Sequence, residues 1–322
     1  MALLPTIELD PSWRKVAMET LTVALWATNL EPITVSLATW VASVETRMAE
    51  AQAAGARLLV MPEFACAQWL AFAPLGLRID QQMGWLATIT EPALAALRPL
   101  VAYYGIALLP GTMPFAVAPG SHLNRAWLLL PDGTSFAQDK ICMTPSELNP
   151  EGWLLTPGST VNVITWEGLR IAIVVCLDVE FTALWARLAK LDLDLIIVPA
   201  KTDMISGYFR VFGCAKARAI ELQTVVCAVG AVGSPLGHPV LDTVVGGAAA
   251  FLPCESSLGY HGTAAASEPH AASAGLSPFL IAYDLPVGPC RRIRHGAAEA
   301  EVWPGSWSAD AIAIVDPAVR VW

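Results

Sequence analysis

Short aliphatic runs, each closed by a proline, a glycine or an acidic residue, recur along this chain and alternate with stretches whose apolar residues fall three or four apart. The first pattern reads as buried strands and the second as amphipathic helices. Residues 21–28 read as a strand, and residues 35–54 as a helix with Val35, Leu37, Val41, Val44 and Met48 near one face. A strand at 57–61 ends at Pro62-Glu63, and a helix through 91–104 leads into a strand at 105–110. Two hairpins follow. Pro131-Asp132-Gly133 turns the segment 125–140, and Glu167-Gly168 turns 161–176, whose outgoing arm ends on Cys176. A helix through 181–190 precedes a strand at 194–200. A helix at 209–223 leads into a strand at 224–233, with further strands at 246–252 and 279–285. Residues 255–276, rich in Ala, Ser, Gly and His, read as a long surface loop. Strands alternating with helices, mixed with hairpins, give an α/β sandwich with mixed sheets.

One internal echo stands out. "ARLLVMPEF" (56–64) and "LDLIIVPAK" (193–201) each follow a helix and run strand, proline, polar residue, a weak echo that fits either two similar α/β halves or only the common habit of buried strands. No composition shift is sharp enough to cut the 322 residues, so one domain is expected over 1–322. Residues 1–20 form an N-terminal extension and 255–322 a C-terminal one.

Composition narrows the class. The chain is 55% hydrophobic, 15% charged and formally −9 at pH 7. Its only basic cluster is "CRRIRH" at 290–295, so nucleic acid is not an expected partner. Low charge suits a deep core and self-association as a homodimer or higher homo-oligomer. Seven cysteines without a CxxC pair argue against a disulfide framework and the usual zinc sites, and for a reducing, cytoplasmic setting. The N-terminus lacks the basic-then-apolar order of a secretion signal. The most apolar long stretch, 92–110, is interrupted by Arg98, Pro99 and Gly105, so a soluble protein without membrane partners is expected.

The reactive side chains sit where strands end. Glu63 follows "LLVMP", Lys140 follows the outgoing arm of the first hairpin, and Cys176 that of the second. Ligands gather at the carboxyl ends of strands in α/β sheets, so the three can converge. Each alone has a bland reading: a helix cap, a solvated charge, a core thiol. Cys66 and Cys142 read as packing residues. His122, His238, His261, His270 and His295 show no spacing that selects one for a Cys–His hydrolase. Trp303, Trp307 and Trp322 read as packing against the domain or a second copy rather than as a site lining.

Taken together, "MPEF" around Glu63, "DKICMTPSE" around Lys140 and Glu147, and "GLRIAIVVCLDVEF" around Cys176 resemble the nitrilase (carbon–nitrogen hydrolase) superfamily. The resemblance runs from about residue 21 to 253 and includes "CAKARAIE" at 214–221. It implies a four-layer α-β-β-α sandwich, dimers formed through outer helices, and a cysteine hydrolase of small amides needing neither metal nor organic cofactor. Cys176 is then the nucleophile and Glu63 the general base. Lys140 and the Leu177 N–H serve as oxyanion donors, and Glu147 orients the substrate or the attacking water. The chain departs from the usual pattern at Leu177, where an aromatic is common, at Phe181-Thr182-Ala183, and at Leu222. Asp178 after "CL" follows the amidase and carbamoylase pattern rather than the Trp-Glu of nitrilases proper. A true nitrilase, and a silent binding protein that kept the fold, remain the alternatives.

Overall fold

The computed structural model describes residues 18–31, 34–233, 244–271 and 276–299. His238 and the three C-terminal tryptophans lie outside the described residues, as does most of the N-terminal extension. Along the chain, β1 (Leu21–Trp26) is followed by α1 (Leu37–Ala53), β2 (Leu58–Val60), α2 (Ile79–Tyr104) and β3 (Ala107–Leu109). Four further strands complete the first half: β4 (Thr112–Ala118), β5 (Ser121–Leu129), β6 (Ser135–Asp139) and β7 (Leu155–Thr156). The second half holds β8 (Val163–Trp166), β9 (Leu169–Ile173), α3 (Thr182–Leu188), β10 (Leu195–Ala200), α4 (Ile205–Leu222) and β11 (Val225–Gly230). It closes with β12 (Ala248–Phe251), β13 (Thr263–Ala266), β14 (Phe279–Leu285) and α5 (Val287–Arg292).

Two mixed sheets result. The first runs β14-β1-β2-β3-β5-β4, with β6 and β7 also paired to β5, and the second runs β13-β12-β11-β10-β9-β8. Side-chain alternation shows how they stack. Leu21, Val23 and Leu25 of β1, Val60 of β2, and Ala126 and Leu128 of β5 pack into one core with Ile171, Ile173, Ile197 and Cys227 of the second sheet. The intervening residues Ala24, Trp26, Leu59 and Leu129 pack into another core with Trp40, Val44 and Met48 of α1 and Leu94 and Leu97 of α2. The far face of the second sheet is covered by Trp185 of α3 and Val211, Phe212, Ala215 and Ala219 of α4. The layers are therefore α-β-β-α.

The internal echo has a structural counterpart. Each sheet contains three successive parallel strands, β1-β2-β3 and β9-β10-β11, and the two echo segments contain the middle strands β2 and β10.

Local chemistry fixes the elements. Ser36 caps α1, its hydroxyl accepting from the Thr39 N–H at 3.1 Å. Glu167 and Gly168, with φ of 50° and 79°, give the β8–β9 hairpin the left-handed pair its tight turn needs. The expected helix at 91–104 is longer. It starts at Ile79, because Met83, Leu86 and Thr90 continue its buried face, and it accommodates Pro92 and Pro99. The expected loop at 255–276 contains β13, whose small residues Ala265 and Ala266 pair with Ala250 and Ala249 of β12. The strand expected to end on Cys176 stops at Ile173. The basic run at 290–295 is largely internal: Arg291 and Arg294 both hold the buried carboxylate of Asp194. Among the described residues, no helix is long and apolar enough to cross a membrane.

Candidate active site

Glu63 stands three residues past the end of β2. Its loop is seated by Gly111 (φ 82°), where a Cβ would lie 2.2 Å from the Pro62 carbonyl oxygen. The turn after Glu63 is fixed by the Thr112 hydroxyl, which accepts the Phe64 N–H at 2.9 Å. Lys140 follows β6 directly, tied to β5 by its N–H to the Asn124 carbonyl at 2.9 Å. Glu147 lies in the loop that returns to β7, held by the Thr144 N–H and hydroxyl at 2.8 and 3.0 Å. Cys176 opens a tight turn, Cys176–Glu180, with φ of 49°. A left-handed non-glycine residue costs of order 1–3 kcal/mol, and it lifts the side chain out of the line of β9.

These residues meet in one buried cluster. Glu63, Lys140 and Glu147 are 1%, 1% and 3% exposed. The Lys140 ammonium donates to Glu63 Oε1 at 2.8 Å and to both oxygens of Glu147 at 2.8 Å. The Cys176 thiol donates to the Lys201 carbonyl at 3.5 Å and also interacts with the Glu63 carboxylate. Leu177 follows within the same tight turn, whose opening N–H groups have no acceptor inside the turn.

Electrostatics set the resting protonation. Burial pushes the Cys176 thiol well up, the charge of Glu63 pushes it further, and Lys140 opposes both. The resting sulfur is therefore a neutral thiol. Burial raises Glu63 above the ordinary carboxylate range, against the pull of Lys140. Burial alone would strip the proton from Lys140, but the charges of Glu63 and Glu147 outweigh it and hold the proton firmly. One ammonium thus serves two carboxylates, with a base of raised affinity beside the thiol. Among the described residues, no group of three or more His, Cys, Asp or Glu could hold a metal ion.

Three participants were not singled out as site residues from the sequence. Asn124 is buried, and its amide donates to Glu63 Oε1 at 2.8 Å and reaches Glu147 Oε1 at 3.5 Å. Its signal was legible: it shares the inner face of β5 with Ala126 and Leu128, where a polar residue needs a reason. Lys201, at the end of the second echo segment, gives its N–H to Glu63 Oε2 at 3.0 Å and its carbonyl to the thiol. Asp178 accepts from the Cys142 N–H at 2.6 Å, the Ile141 N–H at 3.2 Å and the Val175 N–H at 3.0 Å. It pins the segment after Lys140 to the turn bearing Cys176. Cys66 is buried among core side chains, and the Cys142 thiol, raised to about 11 by burial and Asp178, stays protonated.

Asp178→Asn is expected to break that pin, because one amide oxygen cannot serve three N–H groups. Leaving one buried donor unpaired costs about 1–3 kcal/mol. Denaturant unfolding should show a loss of that size, and turnover should fall at least about tenfold as Lys140 and Cys176 lose their mutual position.

A family model described as carbon–nitrogen hydrolase matches residues 21–271. A probable hydrolase of Bacillus subtilis, YhcX, is 29% identical over 181 residues, 56% of this chain and 35% of that protein. An (R)-stereoselective amidase of a Pseudomonas species is 29% identical over 118 residues, 35% of this chain and 40% of its own. The chain thus spans about a third to two fifths of the length of these curated relatives. Among solved structures, an amidase from Nesterenkonia sp. AN1 superposes with a TM-score of 0.63 at 21% identity, covering 89% of this chain and 99% of that one. A mutant of it carries the acetamide moiety of fluoroacetamide covalently on its active-site cysteine.

Proposed function

The chain belongs to the carbon–nitrogen hydrolase family, and from that premise we propose that it hydrolyses a C–N bond of a small amide or N-carbamoyl compound through a thioester on Cys176. The observation that carries this reading is the buried ammonium shared by Glu63 and Glu147, with the Cys176 thiol against Glu63.

Glu63 takes the thiol proton as the sulfur attacks the carbonyl carbon. This leaves the charge of the cluster unchanged, which is why a thiol so strongly raised can still react. The resting Lys140 has all three N–H bonds committed to carboxylates. Protonation of Glu63 weakens its hold, so the ammonium is freed to turn toward the new oxyanion, where the Leu177 N–H is the second donor. Glu63 then returns its proton to the departing nitrogen, and the amine or ammonia leaves. Water next attacks the thioester, giving its proton to Glu63, with Glu147 orienting it; the C–S bond then breaks, the acid leaves, and Glu63 returns the proton to the Cys176 sulfur. Asn124 and the Lys201 N–H keep Glu63 aimed throughout. Thiol, carboxylate and ammonium suffice for every step.

An amide and its matching nitrile separate this reading from its nearest rival. The amide should give acid and ammonia, because Lys140 and the Leu177 N–H can serve an oxyanion and Asp178 follows the amide-type pattern. Acid and ammonia from the nitrile alone, with the amide untouched, would replace the amidase reading with a nitrilase one.

A further inference from the structure

We propose that the Asn124 side chain is a second bridge between Glu63 and Glu147, one that holds both carboxyl groups while Lys140 turns to the oxyanion. Asn124 acts through Glu63, as a positioning residue, and decides which oxygen of that carboxylate takes the thiol proton. The inference rests on the amidase reading above and adds a residue to its machinery.

Two nitrogens connect the same two oxygens. The Lys140 ammonium donates to Glu63 Oε1 and Glu147 Oε1 at 2.8 Å each. The Asn124 amide nitrogen donates to the first at 2.8 Å and reaches the second at 3.5 Å. Ionised carboxylates only accept, so the amide must present its nitrogen to them, with one N–H available for each. That orientation leaves Asn124 Oδ1 buried and without a hydrogen-bond partner among the described residues. An unpaired buried carbonyl costs about 1–3 kcal/mol. On the same face of β5, Ala126 and Leu128 fill the core with no such cost. The fold therefore keeps Asn124 for its nitrogen, at the expense of its oxygen.

The bridge also sorts the oxygens. Glu63 Oε1 accepts from Lys140 and Asn124, and Glu147 Oε2 from Lys140 and from the Thr144 N–H and hydroxyl. The one nitrogen donor on Glu63 Oε2 among the described residues is the Lys201 N–H at 3.0 Å. A lone pair is left there for the Cys176 thiol, so the proton lands on Oε2 and is returned from it. Once Lys140 has turned, Asn124 is the donor left between the two carboxyl groups, and a side-chain amide keeps its N–H bonds whatever the charge around it. Without it, the acid on Glu63 and the carboxylate of Glu147 would share one proton, as close carboxyl pairs do, and the leaving nitrogen would lose its acid. The titratable groups facing Glu63 are Lys140 after β6, Glu147 before β7 and the Cys176 thiol after β9. From the end of β10 comes the Lys201 N–H, while the Lys201 ammonium is held by Asp203 at 2.7 Å.

The test follows propionamide hydrolysis by the full chain against pH. Asn124→Leu, close in volume but without a donor, should lower kcat about 10- to 100-fold and leave KM within about threefold. A donor to the ionised form holds a carboxylate pKa down, so its loss should move the acid limb of kcat/KM up by about one pH unit. Asn124→Ser, a smaller change that keeps a hydroxyl donor on a shorter stem, should shift both readouts in the same direction by less. Should Asn124→Leu not fold, Asn124→Ser alone decides. A merely structural role would lower the rate and leave the limb in place; that result, or wild-type kcat with an unmoved limb, overturns the bridge. A second arm removes turnover. In Cys176→Ala, the infrared band of a protonated carboxyl that Glu63→Gln abolishes should appear at a higher pH when Asn124→Leu is added. A band so shifted in a protein that hydrolyses no amide keeps the bridge and sinks the amidase reading. Hydrolysis of propionamide with neither band nor limb moved does the reverse.

Discussion

Replacing Cys176 with alanine is expected to abolish amide turnover, by at least about 10⁴-fold, while leaving the fold intact. The substitution removes one sulfur from a residue that is already small. It keeps the Val175 N–H bond to Asp178 and the turn that follows. Its cavity cost is of order 1 kcal/mol or less. What it removes is the sulfur that lies against the Glu63 carboxylate and opens the Leu177 turn. Cys176→Ser should recover little. The hydroxyl ionises far less readily than a thiol, and burial beside Glu63, which already raises the thiol, would raise it further. Near wild-type turnover by Cys176→Ala, on a substrate the wild type hydrolyses, would remove the nucleophile from the account.

Glu63→Gln and Lys140→Met are each expected to cost several orders of magnitude, with the double variant little worse than either. Glu63→Gln keeps the shape but deletes the base. Lys140→Met leaves Glu63 and Glu147 facing each other without a cation, so they take up a proton and the base is lost by another route. Groups that act in one step are strongly non-additive. Losses that multiply would show that the two act separately. The pair also differs in stability. An uncompensated buried charge costs about 3–5 kcal/mol, so Lys140→Met should be the weaker fold at neutral pH. Its carboxylates would have folded pKa values raised above their unfolded ones. Such a variant binds more protons when folded and regains stability as the pH falls. In wild type, the raised Glu63 should place the acid limb of kcat/KM above the ordinary carboxylate range, since activity needs it ionised.

Much of this was legible along the chain, for identifiable reasons. The strands of both parallel triples announced themselves because buried strands are continuous aliphatic runs; Glu63 stands just past β2, and Lys140 follows β6, the outgoing arm of a hairpin. The echo between residues 56–64 and 193–201 marked the two segments whose ends meet, Glu63 with the Lys201 N–H. Other features depend on tertiary context. The early start of α2 rests on a face buried only by its neighbours, and the two prolines masked its length. The strand was expected to reach Cys176 because Val174 and Val175 continue the aliphatic run, whereas the backbone leaves β9 after Ile173 and three N–H groups converge on Asp178. Asp178 read as a marker of the bond cleaved. Its position gives it a second reason to be there, one that does not depend on the substrate.

The most direct test is to quench the wild-type enzyme with acid during hydrolysis of an amide and map the adduct by peptide mass spectrometry. The account predicts the acyl mass on the peptide containing Cys176, as a thioester labile to hydroxylamine, with one ammonia or amine released per site before steady state. Steady release of acid and ammonia with no acyl mass on Cys176, even when Glu147→Gln slows the attack of water, would contradict it.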